Sequence, residues 1–321
     1  MKIRFVLIIA LVAAVTISWI GAFLLYDAAE LNERAGPIDP RKFDSLTLVT
    51  AGTGSARENP NRLGPAMAIG WGERVVLVDA GRATTAALRK SSIAMDQPEL
   101  VLLTNLLPRN TNGLADLLYT GWIEGREKKL RVIGPRGTRA FVENLVAAYR
   151  EGAAGLGRAL DLPDGGDQIE VHEADGGYSE EIDGVTIRSA SLTGGPLPAL
   201  AWRFERGRRT IVISGTGWGA DQLVEFSRGV DLLVHEAVFV PPPSDVEEFG
   251  VLVPPERLKR EAELHTSIQE IGKMAKRAGV RGLVLVRMIP PPFYDFQIEA
   301  VIGQDYDGKL FLPEDGASLR P

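Results

Sequence analysis

Residues 74–118 read RVVLVDAGRATTAALRKSSIAMDQPELVLLTNLLPRNTNGLADLL, and the alternation inside that stretch decides the fold. Arg74 to Asp79 is a short run of valine and leucine closed by the turn Ala80-Gly81, the pattern of a buried strand. Ala83 to Lys90 carries alanine, leucine and two late cations, as a helix does. Leu100 to Thr104 is a second buried strand, and Asn112 to Thr120 returns to helical spacing. Strand, helix, strand and helix in that order make an α/β unit.

Working outward, Ser45 to Ala51 reads as a strand leading into the turn Gly52-Thr53-Gly54-Ser55, and Pro65 to Gly70 as its neighbour. Downstream come a strand at Leu130–Ile133 and an amphipathic helix at Gly137–Arg150. Residues 151–167 (EGAAGLGRALDLPDGGD) are so rich in glycine that they read as an irregular insertion. Strands follow around Ile169–His172, Val185–Ser191 and Ala199–Glu205, the last turning at Arg206, Arg208 and Arg209 into Thr210–Ser214. A helix near Asp221–Arg228, a strand at Leu232–His235, a helix at Thr266–Ala278 and a strand at Gly282–Val286 complete a second α/β run. A short strand pair near Ile298–Ile302 and Leu310–Leu312 closes the chain. Two successive halves of this kind imply a sheet-on-sheet core with helices outside. The proline-rich loop 239–256 reads as a rigid lid or a partner-binding surface.

The start of the chain is different. Lys2 and Arg4 precede an uncharged apolar run from Phe5 to Tyr26, followed by Asp27, Glu30 and Glu33. That length spans a bilayer as a helix, and the charge order puts the N-terminus inside. An uncleaved anchor at 1–27 is the expectation, with a cleaved signal peptide as the alternative; no small-x-small site follows Leu25. Residues 28–44 then form a polar linker and 45–321 the globular domain, placed at the cell membrane and facing the periplasm or exterior. With 45% hydrophobic residues there is material for a sizeable core. The net charge of −6 disfavours nucleic acid, and the absence of cysteine removes disulfides, thiolate nucleophiles and cysteine-bound zinc.

Several blocks, in order, resemble the ribonuclease Z and arylsulfatase-like branch of the metallo-β-lactamase superfamily. They are Gly52-Thr53-Gly54-Ser55, Asn61-Arg62-Leu63-Gly64-Pro65, Val78-Asp79-Ala80-Gly81-Arg82, Gly113-Leu114-Ala115-Asp116-Leu117-Leu118, Thr120-Gly121-Trp122, Gly134-Pro135-Arg136-Gly137-Thr138, Ser214-Gly215, His235-Glu236-Ala237 and His265-Thr266-Ser267. The resemblance implies a four-layer αβ/βα sandwich with a two-metal site at the mouth between its sheets. Active relatives bind two zinc ions there through Thr-His-x-His-x-Asp-His, because imidazoles and a carboxylate must converge on metals that share one activated hydroxide.

Here the matching segment departs from that motif. Asn105, Leu107 and Asn110 stand where three histidines would, and Arg109 stands where the aspartate would. The remaining family ligand positions fall on Gly194, Thr216 and Arg287. Leucine cannot ligate, asparagine is a poor ligand for a transition metal, and arginine is a permanent cation. With three histidines in the chain, His172, His235 and His265, two zinc sites cannot be built, so no metal cofactor is expected. The expected function is therefore a metal-free pseudoenzyme serving as a binding or scaffolding module. The alternative is a divergent hydrolase of a phosphodiester, sulfate ester or lactone.

Candidate catalytic residues are His265, His235 and Glu236; the resemblance associates the His265 position with proton transfer at phosphate. Arg109 and Arg287 are expected to enter the vacated cavity and pair with Asp79 or Glu236, or to hold an anionic ligand, with Trp218 beside them. Partners are thus a membrane, an anionic small molecule or protein, and, by resemblance, a second copy in a homodimer. His172 reads as an ordinary surface side chain.

Overall fold

A computed structural model describes residues 14–27, 36–56, 59–239, 256, 260, 263–289 and 295–321. Residues 40–321 form one compact unit, and residues 1–39 are a separate one. In the latter, 14–27 is a helix, α1, while residues 5–13 of the apolar run lie outside the described residues. Among the described residues no helix is long and apolar enough to cross a membrane, so the expected transmembrane helix is unsupported there.

The larger unit is built on two seven-stranded sheets. The first has the order β14-β1-β2-β3-β4-β5-β6, from Ala317–Leu319, Phe43–Gly52, Ala66–Gly72, Arg74–Val78, Leu100–Leu102, Leu130–Gly134 and Ile169–Glu173. The second has the order β13-β12-β11-β10-β9-β8-β7, from Lys309–Phe311, Gly282–Ile289, Leu232–Val238, Arg209–Ser214, Ala199–Arg206, Val185–Leu192 and Ser179–Ile182. Each sheet changes from antiparallel to parallel pairing partway across: β3, β4, β5 and β6 run parallel, as do β10, β11, β12 and β13. Alternate residues of each strand point at the other sheet. Leu48, Ile69, Trp71, Val78 and Leu102 thereby meet Trp202, Phe204, Ile213, Val234 and Val286 in one buried core.

Helices cover the outer faces. On the first sheet lie α2 (Thr84–Lys90), α3 (Pro108–Thr111), α4 (Leu114–Ile123) and α5 (Thr138–Leu160). On the second, α6 (Ala220–Phe226), α7 (Ile268–Ala278) and α8 (Asp295–Ile302) bury Leu223, Ile271, Met274 and Ile298 against Val212, Leu233, Leu283 and Leu285. The layering is the expected α/β sandwich. Polar strand ends at the C-terminal side of the parallel strands converge at one mouth between the sheets.

Two expectations need correcting. Residues 151–160 are not irregular but continue α5. Ala153, Ala154, Leu156, Ala159 and Leu160 favour helix strongly enough to offset the glycines, each of which costs about 1 kcal/mol there. Residues 298–302 are helix rather than strand, because Ile298 and Ile302, four apart, both bury one helical face. The edge strands β7 and β14 were not anticipated; they are short, half exposed and polar. A β-carbon at Gly152 or Gly155 would meet nothing within 4 Å. Gly152→Ala and Gly155→Ala are therefore each expected to stabilise by about 1 kcal/mol, roughly 2–4 °C in Tm, read by thermal melts. A loss of stability would mean that the second half of α5 is not a helix in solution.

Candidate functional site

Five strand ends build the mouth. Asp79 follows β3 in a left-handed conformation (φ 63°), and its carboxylate is fully buried. Thr104, just past β4, donates its backbone N–H (2.8 Å) and its hydroxyl (3.0 Å) to Asp79 Oδ1. Arg287 completes the group by donating Nη2 to Asp79 Oδ2. Its direction comes from an irregularity in β12: Glu236 pairs with Val286 but Val238 with Ile289, so Ala237 faces two residues, and Arg287 takes φ 56°. Such a bulge re-aims a side chain, here toward the opposite sheet. Burial pushes the Asp79 carboxyl above its ordinary pKa, against the pull of the Arg287 charge and the Thr104 hydrogen bonds.

The second group lies on β11. Glu236 Oε2 accepts from Arg109 Nη2 at 3.1 Å, and Oε1 accepts from His265 Nδ1 at 2.8 Å. Arg109 Nη1 is 3.5 Å from His265 Nε2. Arginine can only donate, so this contact fits the tautomer whose proton sits on Nδ1. Burial opposes ionisation of Glu236, but the Arg109 charge, the His265 hydrogen bond and the neighbouring imidazoles together outweigh it and hold the carboxyl at about 2. His235, one residue earlier and fully buried, shares a hydrogen bond of 2.8 Å between its Nε2 and Thr266 Oγ1. Burial pushes its pKa down to about 4, so it is neutral at physiological pH.

The residues that the resemblance sets against metal ligands are engaged in contacts within the protein. Asn110 Nδ2 donates to Asn105 Oδ1 (2.8 Å) and to Thr104 Oγ1 (3.2 Å), and Asn105 Oδ1 also takes the Leu107 N–H (3.0 Å). Leu107 packs on the apolar cluster of the second sheet that contains Trp218. Trp218 itself is buried flat against Gly195, where a β-carbon would fall 2.0 Å from its ring, and it is placed for packing. Thr216 is buried and accepts the Trp218 N–H at 3.3 Å, while Gly194 turns with φ 93°. His172 is exposed on β6, its ring 5.3 Å from that of Tyr178.

Those residues do not fit a dinuclear metal centre. Two guanidinium groups enter the cleft, and every carboxylate oxygen of Asp79 and Glu236 already accepts a hydrogen bond. Among the described residues there is no group of three or more His, Asp or Glu side chains that could hold a metal. The structure thus brings together Asp79, Arg109, Glu236, His235, His265 and Arg287. Two contributors, Thr104 and Gly215, stand inside the motif blocks but are not among the candidate site residues, because the role of each is a contact across the fold that residue type does not signal.

This two-sheet sandwich with its site at the mouth between the sheets defines a metallo-β-lactamase fold. It superimposes on the metallo-β-lactamase fold protein YhfI from Bacillus subtilis with a TM-score of 0.67, at 17% identity over 86% of this chain and 100% of that one. Human tRNase Z, short form, gives 0.63 at 19% identity, over 85% of this chain and 98% of that one. In sequence, the chain is 32% identical over 250 residues to ribonuclease Z of Mycobacterium sp. (strain KMS), spanning 77% of this chain and 85% of the relative. Ribonuclease Z of Mycobacterium tuberculosis (strain H37Rv) is 29% identical over 277 residues, 84% of this chain and 96% of the relative. No protein-family model matches the chain. The chain belongs to the ribonuclease Z family of the metallo-β-lactamase superfamily.

Proposed function

We propose that this protein is a metal-free member of the ribonuclease Z family that binds rather than hydrolyses, tethered to a membrane by its N-terminal apolar run. The observation that carries the reading is the pair of arginine side chains in the cleft, each already matched with a buried carboxylate. The two cations are built into the chain, each neutralised by its own carboxylate. Among the described residues the buried Nε atoms of Arg109 and Arg287 have no hydrogen-bond partner, and guanidinium N–H groups are the donors that best meet an oxyanion. An anionic small molecule or an acidic segment of a partner is therefore the ligand class. The order Lys2, Arg4, apolar run, Asp27 supports a domain facing the periplasm or exterior.

The full chain, purified without chelators, is expected to carry far less than one zinc, iron or manganese per molecule and to leave bis-aryl phosphate esters intact. Stoichiometric metal with hydrolysis would overturn the reading. A second reading has its own support, from the ribonuclease Z relatives and from His265 held by Glu236. In it His265 performs acid–base work on a phosphodiester, sulfate ester or lactone. That reading requires turnover which survives chelation and disappears in His265→Gln.

A further inference from the structure

We propose that Arg109 and Arg287 have taken over the task of a bridging metal pair, tying the two sheets together at the mouth, so that the fold is indifferent to divalent metal. This deepens the metal-free reading and rests on it. The geometry is reciprocal. The first sheet contributes the carboxylate of Asp79 and, from the segment after β4, the cation of Arg109; the second contributes the cation of Arg287 and the carboxylate of Glu236. Each sheet thus gives one charge of each sign, and the two ion pairs cross the gap in opposite senses. Both are shielded from water: the side chains of Arg287, Asp79 and Glu236 are at most 1% exposed, and that of Arg109 is 11% exposed.

The guanidinium groups also reach the peptide between them. Arg109 Nη2 lies 3.4 Å from the carbonyl of Gly215, and Arg287 Nη1 lies 3.5 Å from that of Ser214, at the end of β10. The Arg287 backbone N–H crosses to Thr53 O at 2.7 Å, tying β12 to the turn after β1. The cleft is electrically balanced by two fixed cations and two carboxylates, and all four carboxylate oxygens are in use. A divalent ion would have to break an existing pair to find a ligand. Taking away one partner of such a pair strands a buried charge, whereas taking away both does not.

Thermal melts of the full chain test this. Arg287→Met is expected to lower Tm by about 10 °C, and Arg287→Met with Asp79→Asn to regain at least half of that loss. Should Arg287→Met fail to fold, the less buried pair serves: Arg109→Met falls, and Arg109→Met with Glu236→Gln recovers. Adding zinc or manganese ions, or a chelator, is expected to leave the wild-type Tm within about 1 °C. Double variants no better than the single ones would overturn the tie while leaving the metal-free reading intact. A rise of several degrees with zinc would overturn both.

Discussion

Gly215→Ala is expected to lower Tm by roughly 10 °C. The β-carbon would fall 2.0 Å from Thr104 Oγ1, 2.7 Å from Thr104 Cβ and 2.7 Å from Arg287 Nη1. Neither neighbour can yield freely. Thr104 is held by its hydrogen bonds to Asp79, and Arg287 by its ion pair with the same carboxylate. Overpacking of this kind costs about 1–3 kcal/mol. Displacing Thr104 leaves a buried carboxylate short of donors, for about 1–3 kcal/mol more. A total near 4 kcal/mol corresponds to roughly 10 °C for a domain of this size. Differential scanning calorimetry, with Gly152→Ala as the comparison, reads the effect. A melt within about 2 °C of wild type would mean that the ends of β4 and β10 part easily, and that the contact between the sheets at Thr104 is not a constraint.

Much of this architecture was legible because it depends on short-range signals. Valine and leucine runs at 74–78, 100–102, 232–234 and 282–286 become the parallel strands of the two sheets. Residue identity alone says that Leu107 and Arg287 cannot hold zinc, since no neighbouring contact makes either a ligand. The pairing of Arg109 with Glu236 and of Arg287 with Asp79 is likewise one of the two outcomes that a permanent cation in a closed cavity permits.

What escaped was tertiary. The helix through Gly152, Gly155 and Gly157 owes its persistence to an alanine and leucine background that a glycine count obscures. The β-branched residues of 298–302 favour strand in isolation, and the face offered by α7 overrides them. Which carboxylate each arginine takes follows from a bulge at Arg287, visible only as a register shift between β11 and β12.

Acid should lower the stability of the domain over two successive pH windows, and their order follows from the two buried groups on β11. His235 in the native state takes a proton only near pH 4, whereas an unfolded histidine does so near 6.5. Between those values the unfolded chain binds more protons, so stability that is complete above about pH 6.5 falls until pH 4 and no further. A gap of that size is worth about 3 kcal/mol. Glu236 behaves in the same sense one window lower. Its folded carboxyl sits at about 2 against an ordinary 4.5, so its contribution is present above 4.5 and is lost as pH falls toward 2, again about 3 kcal/mol. Urea melts at pH 7.5, 5 and 3.5 should show the midpoint falling at each step. In His235→Gln the first decline should flatten markedly while the second persists. A wild-type midpoint that holds steady from pH 7.5 to 4 would mean that His235 is reached by water in the native state, and that the closed cleft around Glu236 is open in solution.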